Sequence, residues 1–226
     1  MCSHLKSLPI FISSLIVVAS AVSGALALEP VHLRCEYLEN PIGIDITRPR
    51  LSWREIADER GQSQSAYRVI VASSAERLAS NHGDFWDSGK VESEQTLFVE
   101  YGGKPLTSRE LCFWKVLVWS GNDREPTSSD PASWSMGLLD ESDWLAGYIS
   151  FRDESPIHDD PNSLHLPAAR QYRKEFTTDR QVARASVYAT ALGIYELHLN
   201  GDRVGDAWFA PGWTDYRQRA YYHTYD

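Results

Sequence analysis

The chain has 226 residues, with 31 acidic against 22 basic side chains, a formal net charge of −9 and only three cysteines. That acidic balance, with no basic cluster, argues against nucleic acid and anionic membrane surfaces as partners and is compatible with neutral ligands such as sugars. The absence of a CxxC pair or a Cys/His ligand spacing leaves no support for a zinc site.

Residues 1–27 read as an address and not as structure. Lys6 supplies a short positive start, Ile10 to Ala19 is an almost unbroken apolar run, and Ala25-Leu26-Ala27 has the small-x-small form of a cleavage site. The run is too short and too rich in serine for a membrane span. The expectation is a signal peptide and a secreted or periplasmic protein, with no membrane association after cleavage. Roughly 200 residues would remain, more than one β-sandwich of ~100 residues but too few for two full domains plus a large catalytic one.

Residues 28–137 alternate short apolar strands with polar turns every 8–12 residues, the pattern of an all-β sandwich. Arg50-Leu-Ser-Trp-Arg, Tyr67-Arg-Val-Ile-Val-Ala, Thr96-Leu-Phe-Val-Glu-Tyr and Cys112-Phe-Trp-Lys-Val-Leu-Val-Trp each carry period-two alternation. In the last, Cys112, Trp114, Val116 and Val118 should share one face and Phe113, Lys115, Leu117 and Trp119 the other. Ser74-Ala-Glu-Arg-Leu-Ala predicts one helical turn opened by a serine cap, an inserted connection more than a layer. Cys35 and Cys112, on separate strands, read as small buried hydrophobes, a mutual disulfide being the less favoured alternative.

This half resembles a fibronectin type III or immunoglobulin-like sandwich. Leu106 falls in the run-in to its sixth strand, and Cys112 stands where such folds usually carry a corner tyrosine. Without that hydroxyl, the corner is expected to be fixed by packing.

Residues 138–167 read as a linker, broken by Pro156, Pro161 and Pro167. Asp153, Glu154, Asp159 and Asp160 lie in it and read as a solvated acidic loop, since no rigid element would hold two of them at a catalytic separation. From 168 a second strand-rich unit begins, with Tyr172-Arg-Lys-Glu-Phe, Ala185 to Ala191 and Tyr195-Glu-Leu-His-Leu as strands. Asn200-Gly201 predicts a tight hairpin, its return strand starting at Arg203-Val204. Alternation still runs at Tyr221 to Asp226, so the expectation is the beginning of a second, truncated β-sandwich and the front of a longer protein.

Glu36-Tyr-Leu-Glu-Asn-Pro-Ile-Gly-Ile-Asp, Pro49-Arg-Leu-Ser-Trp, Trp86-Asp-Ser-Gly-Lys-Val, Leu192-Gly-Ile-Tyr-Glu-Leu-His-Leu-Asn-Gly and Ala210-Pro-Gly-Trp-Thr-Asp-Tyr-Arg together resemble the start of bacterial α-L-rhamnosidases. The resemblance covers nearly everything after residue 27. It implies β-sandwich domains ahead of an (α/α)6 barrel, in which two carboxylates remove terminal rhamnose with inversion. No position here matches those carboxylates, so no catalytic residue is assigned. The expected role is support for a downstream catalytic domain of the same polypeptide; a free-standing extracellular carbohydrate- or protein-binding module is the alternative.

One candidate contact site stands out. Tyr195, Trp208, Phe209, Trp213 and Tyr216 offer flat rings suited to sugar faces. Asn200, Asp202, Asp206 and Asp215 offer oxygens suited to hydroxyls or calcium. From these, Asn200, Trp208, Trp213 and Asp215 are the candidate residues for contact with rhamnose-containing glycans. The competing reading is that the aromatics form the core of the second sandwich and its Pro211-Gly212 corner. No organic cofactor is implied, and calcium is the only ion the oxygens suggest. His198, on the face of Glu196 and Asn200, reads as a surface residue.

Overall fold

A computed structural model describes residues 28–57, 60–121, 125–151 and 169–226; the proposed leader and the acidic group Asp153–Asp160 lie outside these ranges. Nine strands form the first unit: β1 (Glu29–Cys35), β2 (Arg50–Ile56), β3 (Gln64–Ala72), β4 (Trp86–Asp87), β5 (Val91–Glu92), β6 (Val99–Glu100), β7 (Leu111–Ser120), β8 (Thr127–Ser128) and β9 (Ala132–Ser135). They make two sheets. One has the order β1-β2-β6; in the other β3 and β7 are central, β4 and β5 pair with β3, and β8 and β9 pair with β7. All named pairs are antiparallel.

Alternation along β3 and β7 decides which side chains meet. Val69, Val71, Cys112, Trp114, Val116 and Val118 point between the sheets, where Leu51, Trp53 and Trp134 close the core. On the opposite face Ile70, Ala72, Leu117 and Trp119 receive Leu78 of α1 (Ala75–Ala79). Ser74 caps this turn by accepting the Arg77 N–H. The predicted turn is therefore present, and it also covers the outer face of the larger sheet.

Cys35 and Cys112 are free thiols buried in the main core. The corner before β7 is packed by Leu106, but a hydroxyl fixes it as well. Tyr101, just after β6, is buried and its OH reaches the Lys104 carbonyl at 3.0 Å and the Phe85 carbonyl at 3.3 Å. The corner is held by a tyrosine from the other sheet's edge, which corrects the expectation of packing alone.

The second unit contains β10 (Val187–Thr190), β11 (His198–Leu199), β12 (Asp202–Arg203) and β13 (Tyr222–Tyr225). β10 pairs with β13 and β11 with β12, each as an isolated antiparallel pair. Tyr172 to Phe176, expected as a strand, is exposed and outside any sheet. Only its two end residues are apolar, and no neighbouring strand among the described residues takes up its backbone groups.

The two units meet through two glycines. A Cβ on Gly43 would lie 2.2 Å from Thr224 Oγ1, and one on Gly137 would lie 2.4 Å from the Tyr222 hydroxyl oxygen. That hydroxyl accepts the Leu138 N–H at 2.8 Å. Trp144 and Tyr188 flank Tyr222, with ring centroids 5.8 and 6.2 Å away. A 3-10 turn, Glu141–Asp143, is closed by an Asp140 capping box and tied back to Ser108 and Arg109.

Candidate carbohydrate-contact surface

The second unit is layered on β10 and β13. Tyr222 and Thr224 face the first sandwich, so by strand alternation His223 and Tyr225 face away from it. On that far side the Tyr195 OH lies 2.9 Å from the Tyr225 OH and 3.2 Å from the Ala189 carbonyl. Burial pushes the Tyr195 phenol well above its ordinary range. Tyr195 also bridges Ala210 through its backbone N–H at 2.9 Å, and Ala210 is buried.

The hairpin forms where the sequence predicts it. Asn200 and Gly201 adopt φ of 54° and 97°, the left-handed pair that a two-residue turn between twisted strands requires. The return strand begins at Asp202, one residue earlier than expected. His198 lies 3.1 Å from the Glu196 carboxylate, which raises its pKa. Both side chains are about half exposed, a surface pair as expected.

The four candidate residues lie on the hairpin and in the segment that follows it. Asn200 sits at the hairpin tip. Trp208, 73% exposed, rests on the Arg203 guanidinium at 4.3 Å, and Arg203 is held by the Ala207 carbonyl at 2.6 Å. Trp213 is 91% exposed. Asp215 is engaged by Arg217 through Nε and Nη2, both at 3.0 Å, which lowers its carboxyl pKa. Among the described residues no hydrogen bond or ring contact links these four, and no group of three His, Cys, Asp or Glu side chains could hold a metal ion. Tyr195 and Tyr216 are structural: the first packs inward, and the second accepts the Gly193 N–H at 2.9 Å. Gly43, Gly137 and Tyr222, which join the units, had no local signal beyond an ordinary glycine or strand tyrosine.

Comparison with known proteins matches this two-part layout. The family model described as Rha78A-like, N-terminal immunoglobulin domain matches residues 30–140, and the alpha-L-rhamnosidase N-terminal domain matches residues 180–226. An alpha-L-rhamnosidase of Formosa agariphila is 38% identical over 213 residues, covering 92% of this chain and 23% of its own length. One from Alteromonas sp. is 39% identical over 203 residues, covering 88% and 22%. Among solved structures, the alpha-L-rhamnosidase from Dictyoglumus thermophilum superposes with a TM-score of 0.75 at 34% identity, over 88% of this chain and 23% of that one. The native Aspergillus terreus enzyme gives 0.67 at 30% identity, over 88% and 22%. The chain thus spans less than a quarter of the length of these relatives.

Proposed function

The chain belongs to the α-L-rhamnosidase family, as an N-terminal portion of it, and from that premise we propose that it is the exported, non-catalytic support of a glycosidase. The parent activity would be hydrolysis of terminal α-L-rhamnose from glycosides or polysaccharides, carried by a downstream catalytic domain of the same polypeptide. The observation that carries this reading is the match of two successive N-terminal domain models to the two units, in order. The glycine-lined contact between the units supports a role as a joined base for that downstream domain. Export rests on Lys6, the apolar run and Ala25-Leu26-Ala27.

The test is hydrolysis of an aryl α-L-rhamnoside. The purified chain should release nothing, while the product of the whole reading frame should release rhamnose. Turnover by the chain itself, abolished by one substitution within it, would overturn the non-catalytic role. Glycan contact is a second reading. It is favoured by the Trp208 ring, which is 73% exposed and has the Arg203 guanidinium 4.3 Å from its centroid.

A further inference from the structure

Where the two units meet there is a cleft of about 180 Å³. Leu138, Trp144, Leu145 and Tyr188 give it apolar and aromatic walls, and Arg109 and Asp143 stand among them as charged groups. These side chains are fixed by contacts across the junction. Arg109 follows a turn in which the Glu110 carboxylate accepts the Thr107 N–H at 2.8 Å. It adopts a φ of 66°, uncommon for a residue with a long side chain, and its own N–H donates to the Gly137 carbonyl at 3.0 Å. The guanidinium reaches Asp143 Oδ1 at 3.4 Å, donates to the Asp143 carbonyl and lies 5.8 Å from the Tyr188 ring centroid. Trp144 and Tyr188 are both braced by Tyr222. The cleft is therefore built from the run into β7, the segment around the 3-10 turn and β10.

We infer that this cleft binds the ring of a neutral sugar. Its size, charge and chemistry each favour that occupant. It is smaller than the roughly 300 Å³ at which sites for drug-sized molecules begin, so a single ring fills it. Asp143 offsets the Arg109 charge inside the cleft, and the chain as a whole carries −9, so nothing there draws an anion. A cation is no better served, because the Asp143 carboxylate is already engaged by Ser108 and Arg109. A pyranose has C–H faces and hydroxyl edges. The Trp144 and Tyr188 rings suit the faces, and the Arg109 and Asp143 pair suits the edges. Among the described residues neither the Trp144 indole N–H nor the Tyr188 hydroxyl makes a hydrogen bond, so both have polar capacity left for a ligand. Trp208 and Trp213 do not line this cleft. The site needs no downstream domain, and in that it goes beyond the proposed function.

Saturation-transfer NMR of the 226-residue chain, titrated separately with methyl α-L-rhamnoside and methyl α-D-glucoside, tests this. The expected result is transfer to at least one of the two pyranosides that Ala146→Trp abolishes. Ala146 lines the cleft, is exposed and lies outside any helix or strand, so the larger ring occupies the space without disturbing the fold. Trp144→Ala should weaken binding about tenfold, through loss of the aromatic surface that the sugar covers. Trp208→Ala should leave binding unchanged. No transfer to either sugar would overturn the inference, as would transfer that survives Ala146→Trp or that Trp208→Ala removes. None of these readouts involves catalysis, so rhamnoside hydrolysis by the product of the whole reading frame, present or absent, bears on the proposed function alone.

Discussion

Trp53 and Trp134 are both sealed in the first core, yet their indole N–H groups differ. Trp53 donates to Gln64 Oε1 at 3.0 Å, whereas Trp134 Nε1 has no acceptor. Replacing Trp53 by Phe removes a bond and strands the Gln64 carbonyl oxygen; the same change at Trp134 relieves an unsatisfied donor. Trp53→Phe should therefore destabilise more than Trp134→Phe, by about 1 kcal/mol, measured by denaturant titration. Gln64 is fully satisfied, its amide donating to the Ser93 and Gln95 carbonyls at 2.9 and 3.0 Å. A glutamine opening an apolar strand reads as a boundary residue. Its burial comes from a loop about 30 residues away, which no local pattern reports. The buried thiols set a pH limit. Burial raises both Cys35 and Cys112, so the folded chain keeps them protonated while unfolded thiols ionise above roughly pH 8.5. The folded state then binds more protons, and stability should be complete below that pH and fall as pH rises beyond it. Denaturation midpoints from pH 7 to 10 check this, and a Cys35→Ala, Cys112→Ala variant should lose that part of the slope.

At the scale of elements, the corner between β6 and β7 shows how a fold replaces a missing group. Cys112 occupies the place expected for a tyrosine, and Tyr101 supplies the hydroxyl from a position eleven residues earlier. Tyr101→Phe should cost about 1 kcal/mol. Gly103→Ala should cost more, since its Cβ would stand 2.4 Å from both the Phe85 carbonyl oxygen and the Tyr101 hydroxyl; the order of the two melting temperatures is the check. The two faces of β7 are legible residue by residue, because strand alternation is a local consequence of the pleat. The hairpin at Asn200-Gly201 is legible for the same reason, as those residue types tolerate positive φ. Tyr172 to Phe176 reads as a strand and is not one, because a strand needs a neighbour and a short run of residues cannot provide it.

For the whole molecule, the decisive contact is between units. Gly137→Ala places a methyl against the Tyr222 hydroxyl and within 2.8 Å of the Gly43 carbonyl oxygen, so β13 must move. Calorimetry of the native chain should give one main transition. Gly137→Ala should split off an earlier one for the second unit, and Tyr222→Phe should shift it only mildly by losing the Leu138 bond, worth about 1 kcal/mol. A single unchanged transition in Gly137→Ala would mean that the contact does not couple the units.

The sequence alone determined the all-β class, the strand faces, the capped turn, the hairpin and the family, since all of these derive from side-chain periodicity, local backbone preference and motif order. Only the tertiary structure decided that Tyr101 closes the corner, that Gln64 is a core residue and that Gly43 and Gly137 admit β13. Each of these depends on groups distant in sequence meeting within a few ångströms, and an approach of that kind leaves no mark on the residues beside it in the chain.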